Sequence, residues 1–72
     1  MKTIYNKSYK AVLKKLKKAR KKAGLTQVEV AQRLRKPQSF ISKVENGERR
    51  LDIIELKTLS RLYKVSIDSL LK

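Results

Sequence analysis

The chain has 72 residues, with 20 Lys and Arg side chains against 6 Asp and Glu and a net charge of +14. It contains no cysteine and no histidine, which excludes disulfide bonds, thiolate chemistry, zinc-finger ligation and imidazole acid–base catalysis. The length predicts one domain with a net stability of only a few kcal/mol. The charge predicts a polyanionic partner, either nucleic acid or an acidic membrane surface, without choosing between them.

Charged side chains interrupt the whole sequence, and no stretch longer than six residues lacks one. We therefore expect no membrane-spanning helix and no secretory signal. The lack of cysteine is compatible with a reducing compartment, and we predict a cytoplasmic protein.

The sequence of residues 1–8 has no helical periodicity and predicts a flexible basic arm. This arm either follows a DNA backbone or is disordered. Ser8 suits an N-cap, and the apolar spacing after it predicts a first helix from Tyr9 to Ala23, ended by Gly24. Its outer face is almost entirely lysine. A basic amphipathic helix can lie on an anionic bilayer, but alanine fills two of the five positions in this apolar stripe, so we do not expect that to be its main role.

A second helix is predicted to begin at Gln27. Thr26 lies three residues before Glu29, which is the spacing of a capping box, and Leu25 and Val30 flank it at the spacing of a hydrophobic staple. Apolar residues then recur at one helical face up to position 34.

Pro37 breaks the helical pattern, because proline lacks a backbone donor and disfavours the helical conformation of the residue before it. A third helix is predicted from Gln38, with apolar and polar residues on opposite faces. Asn46 and Gly47 end it, since both residue types tolerate the left-handed conformation. Two helices joined by a tight turn therefore occupy residues 27–47.

The rest of the chain predicts two more helices. Asp52 and Glu55 repeat the capping-box spacing before a fourth helix from Ile53 to about Tyr63. Ser66 suits the N-cap of a short fifth helix ending at Lys72. Some apolar side chains so near the terminus lack a partner within one chain, which suggests a twofold dimer contact through Ile67, Leu70 and Leu71.

The runs GLTQVEVAQRL at 24–34 and PQSFISKVENGERR at 37–50 resemble the Cro and phage-repressor (XRE) family of DNA-binding domains. The resemblance covers roughly residues 9–71. It implies an all-α, compact five-helix DNA-binding domain at residues 9–72. This domain would contain a phage-repressor-like helix-turn-helix whose helix 38–46 lies in the major groove.

The resemblance also implies roles for individual residues. The base-reading residues would be Gln38, Ser39, Ser42 and Lys43. The phosphate contacts would include Gln27 and Asn46, and to these we add the nearby cations Lys36, Arg49 and Arg50, because arginine can fork onto a phosphate. Arg20 would approach Glu45 and pin the first helix to the reading helix; the alternative is a solvated cation.

One position departs from the family pattern. Many members have glycine in the turn where this chain has Arg35. If Arg35 adopts the left-handed conformation, the backbone there carries about 1 kcal/mol of strain.

These features predict a sequence-specific double-stranded DNA binder, a small transcriptional repressor acting as a homodimer on an inverted-repeat operator. One alternative is an antitoxin or co-regulator whose main partner is a protein, although the chain ends directly after the fifth helix. The other is a nonspecific nucleic-acid binder that uses the lysine face. An enzyme is the weakest interpretation, since four of six carboxylates have capping or pairing roles. We expect no cofactor, no metal ion and no small-molecule ligand.

Overall fold

The computed structural model describes residues 7–72. They form five α-helices: α1 (Lys7–Lys22), α2 (Gln27–Leu34), α3 (Gln38–Glu45), α4 (Ile53–Leu62) and α5 (Ile67–Leu71). α2 packs against α3, α1 contacts both α3 and α5, and α4 contacts α5. The prediction of an all-α, five-helix domain with a helix-turn-helix is confirmed.

The apolar faces of all five helices meet in one core. Its buried side chains are Leu13, Leu16, Ala19, Val30, Ala31, Phe40, Ile41, Val44, Leu59, Tyr63 and Leu70. Each larger member contributes about 1.5 to 3 kcal/mol through the apolar surface it removes from water. The small Ala31, which is 2 % exposed, lets α2 and α3 approach closely.

Capping side chains fix where α2, α4 and α5 begin. Thr26 caps α2 and Asp52 caps α4, each in a reciprocal capping box with the acidic residue three positions later, as the sequence predicts. The hydroxyl of Ser66 accepts a hydrogen bond from the Ser69 amide at 3.0 Å and starts α5.

The four connections begin with the same hydrogen-bond pattern, in which a residue with positive φ follows the end of each of α1 to α4 by one or two positions. The amide of that residue bonds to the carbonyl three positions earlier, at 3.0 to 3.2 Å, and the next amide bonds to the carbonyl five positions before it, at 2.8 to 3.2 Å. This is the Schellman motif, which favours glycine. The four residues are Gly24, Arg35, Gly47 and Lys64, with φ of 76°, 58°, 79° and 58°.

The structure corrects the predicted start of the first helix. Ser8 is not its N-cap, because Lys7 and Ser8 already belong to α1. Neither proline nor glycine precedes Tyr9, so nothing in the sequence stops the helix at position 8. Residues 7 and 8 therefore leave the predicted arm, and the remaining residues 1–6 lie outside the described part of the chain.

Candidate nucleic-acid interface

The turn between α2 and α3 sets the angle of the two helices. α2 begins with the Thr26 amide donating to Glu29 Oε1 at 2.8 Å and the Glu29 amide donating to Thr26 Oγ1 at 3.1 Å. The bond from the Thr26 amide lowers the pKa of the Glu29 carboxyl below its usual 4.5, and the Thr26 side chain lowers it further. α2 ends at Arg35, whose backbone is left-handed with φ 58° and ψ 44°. The sequence predicts backbone strain at Arg35 only if this residue is left-handed, and the structure shows that it is.

α3 separates its side chains into two faces. Phe40, Ile41 and Val44 are buried in the core. On the other face Gln38, Ser39 and Lys43 are exposed and Ser42 is half-buried. The four side chains predicted to read bases therefore share the outer face of one helix, although Ser42 lies at its edge.

A buried ion pair connects α1 to the end of α3, as the resemblance implied. Arg20 Nε donates to Glu45 Oε2 at 2.6 Å and Arg20 Nη2 donates to Glu45 Oε1 at 3.2 Å. The two side chains are only 8 % and 5 % exposed. Arg20 Nη1 also donates to the carbonyl of Leu25 at 2.8 Å, so all three guanidinium nitrogens have a partner. Such a pair fixes the rotation of α3 about its axis.

The pair also lies beside a buried phenol. Burial raises the pKa of Tyr63 far above its usual value of 10, the negative charge of Glu45 adds to that shift, and the positive charge of Arg20 opposes it. Tyr63 is 4 % exposed. The neutral ring therefore forms part of the wall against which the ion pair is held.

Gln27, predicted only as a phosphate contact, joins the ion pair to the outer face of α3. Its Nε2 donates to Glu45 Oε1 at 3.0 Å, and its Oε1 accepts a long bond of 3.5 Å from Gln38 Nε2. A chain of polar contacts thus runs from buried Arg20 through Glu45 and Gln27 to exposed Gln38. No spacing rule in the sequence predicts this contact between positions 27 and 38.

Two cations lie over the ring of Phe40. Arg49 Cζ is 4.5 Å and Lys36 Nζ is 5.3 Å from the ring centroid. Arg49 also donates from Nη1 and Nη2 to the carboxylate oxygens of Glu55 at 3.1 and 3.3 Å, and to the carbonyl of Arg50. These two parallel bonds to a carboxylate use the edge of the guanidinium that a phosphate would take. Arg49 thereby links the loop after α3 to α4, and its phosphate contact stays a prediction.

The other predicted phosphate contacts keep exposed side chains. Lys36, Asn46 and Arg50 are exposed near the two ends of α3 and in the loop after it. Arg50 Cζ lies 5.1 Å from the centroid of the Tyr9 ring, and Tyr9 Oη accepts a 3.4 Å bond from the Leu51 amide. The first turns of α1 thereby hold this loop beside α3.

The predicted dimer contact needs correction at one residue. Leu70 is 3 % exposed and packs in the core of its own chain, so it does not lack a partner. Its position on the inner face of α5 explains this, because α5 contacts both α1 and α4. Leu71 is 62 % exposed and Ile67 is half-buried.

Across residues 7–72 no cluster of three acidic side chains has the geometry to hold a metal ion. No helix in that range combines the length and apolar content that crossing a bilayer would require.

Comparisons with known proteins identify the family. The family model described as "Helix-turn-helix" matches residues 16–70. An HTH-type transcriptional regulator, ImmR of Bacillus subtilis (strain 168), is 47 % identical over 58 residues, which cover 81 % of this chain and 46 % of ImmR. The chain thus spans less than half the length of this curated relative.

A solved structure agrees along almost the whole chain. It is described as an XRE-family like protein from Pseudomonas syringae pv. tomato str. DC3000, it is 51 % identical, and it superposes with a TM-score of 0.84. The match covers 97 % of this chain and 85 % of that one. The fold, the buried Arg20–Glu45 pair and these matches lead to one conclusion: the chain belongs to the XRE family of helix-turn-helix proteins.

Proposed function

We propose that this protein binds double-stranded DNA sequence-specifically and regulates transcription as a repressor, with α3 in the major groove. The observation that carries the proposal is the outer face of α3. Gln38, Ser39 and Lys43 are exposed there, while the buried Arg20–Glu45 pair holds the helix from behind. Side chains held on a rigid helix can meet base edges without a large cost in ordering entropy.

The chemistry of those side chains suits the major groove. A glutamine amide at position 38 pairs with the N6 and N7 edge of adenine, and the ammonium of Lys43 donates to O6 and N7 of guanine. The hydroxyls of Ser39 and Ser42 bond to either kind of base and discriminate less. Gln38 and Lys43 are therefore the main readers in this proposal.

Backbone contacts would set the register on the duplex. Lys36, Asn46 and Arg50 are exposed around α3 and meet phosphates in this proposal. Gln27 is the first residue of α2, and the helix dipole favours an anion at this end of the helix. Its side chain would then contact a phosphate while its Oε1 also accepts the hydrogen bond from Gln38.

We further propose a homodimer on an inverted repeat. The exposed side chain of Leu71 and the half-buried one of Ile67 form an apolar strip on α5 that a second copy would cover. Two reading helices about 34 Å apart would meet half-sites one helical turn apart. Repression would follow from occupancy of a promoter. ImmR is described as a transcriptional regulator, and this proposal extends that activity to the matching part of the present chain.

Selection of duplexes from a random pool at about 150 mM salt tests the proposal. We expect a common site with inverted symmetry, and a preference for that site over scrambled DNA of about 10³-fold or more. A pool without a common site, or equal affinity for selected and scrambled duplexes, would leave only a nonspecific binder. Leu71→Lys should weaken dimerisation in sedimentation equilibrium and leave the helix content unchanged.

A further inference from the structure

Six lysines of α1 form two rows about 100° apart around the helix axis, one on each side of its buried stripe. Positions 10, 14 and 17 recur at the spacing of one helical face, and so do positions 15, 18 and 22. We call Lys10, Lys14 and Lys17 the near row and Lys15, Lys18 and Lys22 the far row.

The two rows have different neighbours. The near row lines a hollow of about 290 Å³ whose other walls are Leu13 of α1 and residues 45–47 at the end of α3. The far row lines a hollow of about 250 Å³ that α1 forms with Val65, Ser69 and Leu70. Only the near row therefore adjoins the helix that reads DNA in our proposal.

The charge of the near row is not compensated by the described protein. α1 has no acidic residue, and within residues 7–72 no ion pair involves a lysine of this helix. Glu45 borders the same hollow, but its oxygens already accept bonds from Arg20 and Gln27. Like charges three or four residues apart destabilise a helix by about 0.2 to 0.5 kcal/mol per pair. A polyanion in the hollow would remove that cost.

We propose that the near row is a second phosphate-binding site. It would contact phosphates of the DNA strand that lie next to the phosphate contacted by Asn46. The inference rests on the proposed function and deepens it, because it extends the backbone footprint from α3 onto α1. Lys10 and Lys17 lie about 10 Å apart along the helix axis. One DNA strand rises about 3.4 Å per nucleotide, so the row spans up to about three nucleotides.

The surroundings of the row favour DNA over a membrane. An amphipathic helix binds an anionic bilayer by inserting apolar side chains beside its lysines. In the near row the adjoining apolar residue is Leu13, which is 5 % exposed and already packed in the core. The hollow also continues directly into Asn46, which is exposed at the end of α3.

Two charge-matched variants test the inference. The near variant carries Lys10→Gln, Lys14→Gln and Lys17→Gln, and the far variant carries Lys15→Gln, Lys18→Gln and Lys22→Gln. Each removes three of the positive charges of the same helix, and glutamine keeps nearly the same helix propensity. Thermal unfolding followed by circular dichroism shows that both are folded. Affinity is then measured for the selected duplex and for a scrambled duplex between about 50 and 200 mM salt.

We expect the near variant to lose about fivefold in affinity at ~150 mM salt for each phosphate contact removed, and its salt slope to fall by about 0.9 per contact. The loss should be equal on both duplexes, because phosphate contacts carry no sequence information. The far variant should change the salt slope by less than about 0.9, the value for one phosphate contact. Ethylation of single phosphates should then show fewer interfering positions for the near variant than for the unaltered protein.

Equal slopes for the near and far variants would overturn the inference and leave the proposed function intact. If the unaltered protein does not prefer the selected duplex, the proposed function fails, and the comparison of slopes on scrambled DNA still decides whether the near row binds phosphates.

Discussion

Glu45 at the end of α3 accepts two hydrogen bonds from the guanidinium of Arg20 on α1, and both side chains are more than nine-tenths buried. Removing Glu45 leaves the arginine charged, buried and without its carboxylate. We therefore expect Glu45→Ala to lower the free energy of unfolding by about 3 to 5 kcal/mol, measured by urea denaturation. That loss is comparable with the whole stability of a domain of this size.

An exposed ion pair in the same chain supplies the control. Lys72 and Asp68 are 3.4 Å apart with side chains 76 % and 80 % exposed. Water already solvates both charges, so Lys72→Ala should cost well under about 1 kcal/mol. A similarly small cost for Glu45→Ala would mean that water reaches the Arg20 guanidinium.

Replacing either main reader should change sequence preference rather than stability. Gln38→Ala and Lys43→Ala each truncate an exposed side chain, and the only bond lost within the described chain is the long 3.5 Å contact of Gln38 with Gln27. We expect each variant to lose about 1 to 3 kcal/mol of binding free energy on the best duplex. Each should also relax the base preference at one operator position. Binding to a panel of single-base variants of the selected site measures both effects.

Lys57→Ala is the matched control, since it removes one exposed lysine of α4, away from α3. It should leave the base preference unchanged. Equal losses on selected and random DNA for Lys43→Ala would show that Lys43 meets phosphates and does not read bases.

The left-handed backbone at Arg35 predicts a gain from glycine. The side chain is exposed and φ is 58°, a region that costs residues with a Cβ atom about 1 kcal/mol. Arg35→Gly should raise the free energy of unfolding by about 0.4 to 1 kcal/mol. Lys64→Gly should act in the same direction, because Lys64 has the same φ and closes the same motif.

Arg33 lies inside α2 and tests whether the gain depends on backbone conformation. Arg33→Gly should destabilise the protein by about 1 kcal/mol, since glycine is unfavourable within a helix. A loss of stability for Arg35→Gly as well would show that the side chain contributes more than the backbone strain costs.

The capping box of α2 predicts a dependence on acid pH. The pKa of Glu29 is lowered in the folded protein by its bonds with the backbone and side chain of Thr26. Its carboxylate therefore contributes stability that is present above the unfolded pKa of about 4.5 and is lost as pH falls through the folded value. Glu29→Gln should make unfolding less sensitive to pH below about 5. Glu48→Gln, which removes a carboxylate outside any capping box, serves as the control.

Patterns between neighbouring residues predicted most of the fold. The capping boxes at Thr26 and Asp52 and the stop at Gly47 depend on residues within a few positions, and the structure contains all three. The two faces of α3 followed from helical periodicity in the same way. Only the resemblance to a known family joined Arg20 to Glu45, because no periodic rule connects residues 25 positions apart.

The remaining features depend on tertiary geometry. The chain of contacts through Gln27, the capture of Arg49 by Glu55 and the burial of Leu70 all arise when helices meet. Arginine near a recognition helix is equally compatible with a phosphate and with a carboxylate, and composition does not decide between them. The left-handed backbone of Lys64 is not predictable for another reason, since lysine rarely adopts that conformation.

The repeated turn at the ends of α1 to α4 has a consequence for how fast the protein forms. Each turn closes hydrogen bonds between residues at most five positions apart, so the helix ends form locally, and only the packing of α1 on α3 and α5 brings distant segments together. Chains dominated by such local closures refold in microseconds to milliseconds. A protein with these kinetics would regain its native state quickly after transient opening and spend little time exposed to proteases.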